Sequence, residues 1–230
     1  MKEYKFRITP PLLALMLANV IPIFGVLFMH WDIASIVVLY WAENLVVGGY
    51  TILKMLAAGR LGAIGPVLFF CLHYGGFCAV HGLFVLKLTE YAGGEQAVLA
   101  ATTWPEPLAA LQLFYNLVNN VLTAATADFR WVLLAMALSH GVSFLLLYLG
   151  QGEYRNTTVS KLMRAPYTRI VVLHIAVIAG GFLVAKMGSP LGLLLALVAL
   201  KTGMDIMLHN RSHKTAGAAV ATQQQEPTGG

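Results

Sequence analysis

The chain has 230 residues, of which 58% are apolar and only 11% charged, with a formal net charge of +5 and a mean hydropathy of +0.73. Soluble domains carry roughly a quarter charged residues, so this composition excludes a soluble domain and a nucleic-acid-binding module. The two cysteines, Cys71 and Cys78, lie in one apolar run and read as buried thiols, which excludes a secreted disulfide scaffold.

At about 20 apolar residues per crossing, long apolar runs predict six membrane spans, over about 12–29, 33–54, 66–86, 131–149, 170–187 and 190–209. The first follows Lys2, Lys5 and Arg7 as a signal peptide would, but no small-residue cleavage pattern comes after it, so it reads as an uncleaved span. Between the third and fourth spans, the apolar stretch 105–127 is broken by Gln112, Asn116, Asn119 and Asn120. As a helix over about 107–126, it puts Leu108, Leu111, Tyr115, Val118 and Leu122 on one face and most of the amides on the others. That pattern predicts an amphipathic interfacial helix, or a partly inserted lid, rather than a seventh span. Residues 214–230 are small and polar and are expected to be a disordered cytoplasmic tail. The expected fold is all-α: an integral membrane six-helix bundle, one transmembrane domain over 1–213, with the extra amphipathic helix.

Charge sets the orientation. With a cytoplasmic N-terminus, Lys2, Lys5, Arg7, Lys54, Arg60, Arg155, Lys161, Arg164, Arg169, Arg211 and Lys214 fall inside, against Lys87, Arg130 and Lys186 outside. The pattern predicts a bacterial cytoplasmic (inner) membrane protein with both termini in the cytoplasm. No internal repeat is present, which weakens a transporter reading.

Ionisable groups inside spans cost a few kcal/mol each and mark functional sites by default. Here they are Glu43, His73, His81, His140 with Ser143, His174, and the stripe Lys201, Asp205 and His209. Lys201, Asp205 and His209 share a stripe about 80° wide, and His73 and His81 are about 80° apart two turns along one helix. Imidazole with carboxylate is a transition-metal ligand set. The expected ligands are His73, His174, Asp205 and His209, around a divalent ion, zinc first and iron or copper as alternatives. From the span boundaries His73, His174 and Asp205 form a floor toward the cytoplasmic end, with His81 nearer the outer side. Glu43, His140 and Lys201 are the expected catalytic groups, Lys201 also being a partner for Glu43, and His81 and Ser143 are further candidates. Gly75, Gly76, Gly180 and Gly181 are expected to permit close helix approach.

The motifs Tyr40-Trp41-Ala42-Glu43-Asn44, His73-Tyr74-Gly75, His81-Gly82, Ser139-His140, Gly152-Glu153-Tyr154, Ala165-Pro166-Tyr167 and Lys201-Thr202-Gly203-Met204-Asp205 resemble domain-of-unknown-function family 6498, uncharacterised bacterial membrane proteins. The resemblance covers roughly 10–213 and implies a multi-span protein without assigning an activity. In gathering histidines, an aspartate and a serine from several spans, the chain also resembles the intramembrane zinc hydrolases of the alkaline ceramidase and adiponectin-receptor type. It departs from them in having six spans and Asp205-x-x-x-His209 in place of a late histidine pair. The expected function is a metal-dependent membrane hydrolase of a lipid or small hydrophobic substrate. The alternatives are an ion, proton or metal translocator, a redox-metal oxidase, and an accessory subunit with a structural polar core.

Overall fold

Asp32 caps the start of the helix that begins at Ile33. Its carboxylate accepts from the Ser35 amide at 2.9 Å and from the Ser35 hydroxyl, satisfying donors that a helix start leaves open. The computed structural model describes residues 24, 26, 28, 31–188, 191–200 and 202–203. The chain divides into two units, Met1–Trp31 with Val198–Gly230, and Asp32–Leu197. Of the first, Phe24 and Phe28 are helical, their ring centroids 4.7 Å apart. The remaining description concerns the second.

Helix α1 (Ile33–Gly59) has 27 residues, about 40 Å at 1.5 Å per residue. It ends where Arg60 takes φ 49° and returns its N–H to the Leu56 carbonyl. A single 3-10 turn, Arg60–Ala63, leads into α2 (Ile64–Thr89). Glu90, at φ 56°, closes α2 with its N–H 2.8 Å from the Leu86 carbonyl. A short helix, α3 (Gly94–Ala100), precedes α4 (Leu108–Ala124). Thr126 then caps α5 (Ala127–Ser143), which continues as a π-helical segment over Phe144–Gly150. Thr158 caps α6 (Val159–Arg164), Pro166 stands at the start of α7 (Tyr167–Met187), and α8 (Leu191–Leu200) follows. Among the described residues every regular element is helical.

Three stretches are long and apolar enough to cross a membrane: Ile33–Thr89, Ala127–Gly150 and Val159–Met187. The first is bent at Arg60, so that α1 and α2 run antiparallel: Trp41 meets Cys78 and Asn44 meets Tyr74. Tyr50 bonds to Ala137 and Tyr148 to Lys54, which makes α5 parallel to α1. Tyr167 bonds to His73 and His174 to His81, which makes α7 parallel to α2. Large apolar side chains such as Leu72, Trp131, Leu138, Leu146 and Phe182 point outward, the inverted surface expected of a chain solvated by lipid. The predicted span 12–29, apart from residues 24, 26 and 28, the end of span 190–209 and the tail 214–230 lie outside the described residues.

Helix α4 matches the amphipathic segment and explains its amides. Gln112 Oε1 accepts from the Thr103 and Trp104 amides at 2.8 and 2.7 Å. Asn116 Nδ2 donates to the Ala101 carbonyl at 3.0 Å, and Asn120 Nδ2 to the Ala92 carbonyl at 3.2 Å. Spaced four apart, these amides pair backbone groups of the α2–α4 connection that would otherwise be unpaired. Leu108, Leu111, Tyr115 and Leu122 are left exposed on another face.

Two packing expectations are corrected. A Cβ on Gly75 or Gly76 would meet nothing within 4 Å, whereas one on Gly82 would lie 2.7 Å from both the Trp41 ring and Leu117. Gly48, against the Tyr74 ring, is as tight. The α1–α2 contact therefore closes on Gly48 and Gly82, because bulky Trp41 and Tyr74 cross there. Gly180 does pack closely, on Leu193. Of the cysteines only Cys78 is buried; Cys71 faces outward.

Candidate functional site

Parallel packing of α2 and α7 leaves a cleft of about 650 Å³ along their length. Its walls are apolar, with Phe77, Val80 and Phe84 from α2 and Val177 and Ile178 from α7. His73, His81, His174 and Lys87 are its polar lining among the described residues. Gly76 lies in the wall, and the absence of a side chain there widens the cleft.

The histidines are held by directed hydrogen bonds. His81, 2% exposed, has Nδ1 2.7 Å from the Phe77 carbonyl one turn back. A carbonyl only accepts, so Nδ1 carries the hydrogen and the neutral ring accepts at Nε2. His174 Nδ1, 2.9 Å from that Nε2, must therefore donate. The result is a fixed chain, Phe77 carbonyl to His81 to His174, which leaves the lone pair of His174 Nε2 available in the cleft. His73 is tied through Nδ1 to the Tyr167 hydroxyl at 2.7 Å, so its Nε2 is also the open nitrogen.

The predicted floor of His73 and His174 is not formed. His174 sits level with His81, which is about 12 Å along the helix axis from His73. The reason is upstream. Val159 of α6 packs at the Gly59 end of α1, and Pro166 separates α6 from α7. Helix α7 consequently begins beside Phe70 and Tyr74, well along α2, and its histidine lands two turns higher. A shared zinc would need each nitrogen within about 2.1 Å of it. Among the described residues no three His, Cys, Asp or Glu side chains gather to hold a metal. Asp205, His209 and Lys201 lie outside the described residues.

Glu43 pairs with Arg169, Oε1 to Nη2 at 2.5 Å, with the side chains 13% and 28% exposed. Arg169, assigned above to a cytoplasmic loop, is thus part of the bundle interior. Tyr167 and Arg169 are the site residues the sequence reading missed. The Ala165-Pro166-Tyr167 motif was the available signal, since it starts α7 three residues before the predicted span. His140 packs on Tyr50, ring centroids 6.0 Å apart. Ser143 is exposed at the end of α5. Neither Glu43, His140 nor Ser143 is among the described residues that line the cleft.

The motif residues interlock. Trp41 Nε1–H donates to the Cys78 carbonyl at 2.8 Å, the Tyr74 hydroxyl donates to the Asn44 carbonyl at 2.9 Å, and Tyr167 holds His73. Residues 1–222 match the model of a family of unknown function, DUF6498. The chain belongs to DUF6498. No curated protein and no solved structure matches it. In this DUF6498 chain the match takes in Tyr40–Asn44, His73–Gly82 and Ala165–Arg169, the segments that build the interlock and the cleft.

Proposed function

We propose that the protein is an integral membrane hydrolase that takes a lipid-like molecule into the α2–α7 cleft. The observation that carries this reading is the hydrogen-bonded chain from the Phe77 carbonyl through His81 to His174. A metal-binding histidine characteristically donates its other ring N–H to an orienting acceptor, and His174 does so within apolar walls suited to an acyl chain. In this reading His174 binds zinc through its open Nε2, and His73 stands farther along the cleft instead of sharing the ion. Bound zinc lowers the pKa of its water to about 7. Held by His174, such an ion would supply a water acidic enough to serve as nucleophile toward an ester or amide carbonyl near neutral pH.

The alternating directions of α1, α2, α5 and α7 support alternating loops, and with the loop charges they favour cytoplasmic termini in a bacterial inner membrane. The outward Leu108–Leu111–Tyr115–Leu122 stripe of α4 favours a position at the bilayer interface. A proton-translocating relay fits less well. The His81–His174 link is present, but it ends on a backbone carbonyl that cannot pass a proton on, and Glu43 is engaged by Arg169.

Elemental analysis of detergent-purified protein tests the metal. Near-stoichiometric zinc is expected in the wild type and less than a tenth of it in His174→Ala. His81→Leu, which leaves His174 Nδ1 without its acceptor, should weaken binding about 10–100-fold. A wild type purified without metal, and unable to take up zinc on titration, would sink the metal reading.

A further inference from the structure

The cleft carries one feature that metal chemistry does not use. Lys87, in the last turn of α2, lines it at the end where the apolar stretch stops at Thr89. Lys87 Nζ lies 3.8 Å from Glu95 Oε1, a loose ion pair whose lysine side chain is 63% exposed and whose carboxylate is 17% exposed. Gln96 also donates to Oε1, at 3.4 Å, which leaves Oε2 of Glu95 for another donor. A cation and a carboxylate side by side at the end of the apolar stretch complement a headgroup that carries both charges. They suit a purely anionic one poorly, because Glu95 would repel it.

We propose that the cleft selects a zwitterionic phospholipid with a primary amine in its headgroup, taken from the surrounding bilayer. Its phosphate contacts Lys87 and its ammonium contacts Glu95. This rests on the lipid-cleft reading above and names the lipid class. The depth is consistent with it. Lys87 lies about 9 Å along the axis from the level of His81 and His174. One leaflet of the hydrocarbon core is about 15 Å thick, so a lipid anchored at Lys87 passes His174 within its own leaflet. The chain then runs against Phe84, Val80 and Phe77.

Native mass spectrometry of the full-length protein, titrated with phosphatidylethanolamine, phosphatidylcholine and phosphatidylglycerol, tests the proposal. Phosphatidylethanolamine should bind about tenfold more tightly than either of the others, since the choline group cannot donate hydrogen bonds and the glycerol group lacks the ammonium. Lys87→Gln should weaken all three lipids, and Glu95→Gln should erase the preference for the amine. Lys186→Gln is the control. Lys186 is in the last turn of α7, over the Phe182 ring, and is outside the lining, so no change is expected. Val80→Trp, which fills the cleft, should abolish binding of every lipid. Loss of binding in Val80→Trp with equal affinities for the three lipids, or with no effect of Lys87→Gln and Glu95→Gln, would overturn the headgroup assignment alone. Unchanged binding in Val80→Trp would overturn the lipid-cleft reading itself. Thermal unfolding of each variant, expected to match wild type, separates these outcomes from misfolding.

Discussion

Glu43 and Arg169 are the costliest side chains in the described interior, and their pairing makes the cost bearable. An ionised group left alone in an apolar setting costs several kcal/mol, and removing one partner of a buried pair is worse than removing both. Glu43→Leu or Arg169→Met alone should therefore destabilise the protein by about 2 kcal/mol, below the fully buried range because Arg169 keeps partial exposure. The double variant Glu43→Leu with Arg169→Met should recover most of that loss. Thermal unfolding in detergent across the double-mutant cycle measures it. Additive losses with no recovery would show that the two groups act separately. The sequence identified Glu43 as an interior carboxylate. Its partner was not legible, because Arg169 falls in a run of basic residues that looks like loop charge, and only the position of α7 brings it inward.

At the scale of the helix, the contact between α1 and α2 depends on residues too small to notice in a hydropathy profile. Trp41 is fixed by its bond to the Cys78 carbonyl, so it cannot retreat from a new methyl group on Gly82. Gly82→Ala is expected to cost about 1–3 kcal/mol by overpacking. Gly76→Ala, with open space at its Cβ position, should change stability by less than about 0.5 kcal/mol. Thermal unfolding of the two variants decides the matter, and equal effects would refute the assignment of close packing to Gly82. Sequence alone pointed to Gly75 and Gly76 and passed over Gly82. Which of them meets a neighbour depends on the helix rotation that the large aromatic residues impose. The amide stripe of α4 is a similar case. Amphipathicity was evident from spacing, but the purpose of Gln112, Asn116 and Asn120 required the backbone groups of the preceding connection.

For the whole molecule, the parallel pairs α1–α5 and α2–α7 place the Arg60–Ala63 turn and residues 150–158 at one end of the bundle. Residues 90–106 lie at the other end. In a background with Cys71 and Cys78 replaced by serine, single cysteines at Gly62 and Gly152 should be protected from a membrane-impermeant thiol reagent added to intact cells. A cysteine at Thr103 should be labelled. Labelling of all three, or the reverse pattern, would discard the proposed orientation.

What sequence determined by itself was the segments: among the described residues an all-helical chain, with apolar runs long enough to cross a membrane lying close to where the sequence puts them. These are local properties, fixed by composition and by hydrogen bonds a few residues long. The tertiary structure decided which polar groups meet. The axial offset between α7 and α2 accumulates through α6 and the break at Pro166, and a shift of two turns moves His174 from the level of His73 to that of His81. Helical periodicity assigns a residue to a face, but the sliding of one helix along another is set only when all the side chains between them pack at once.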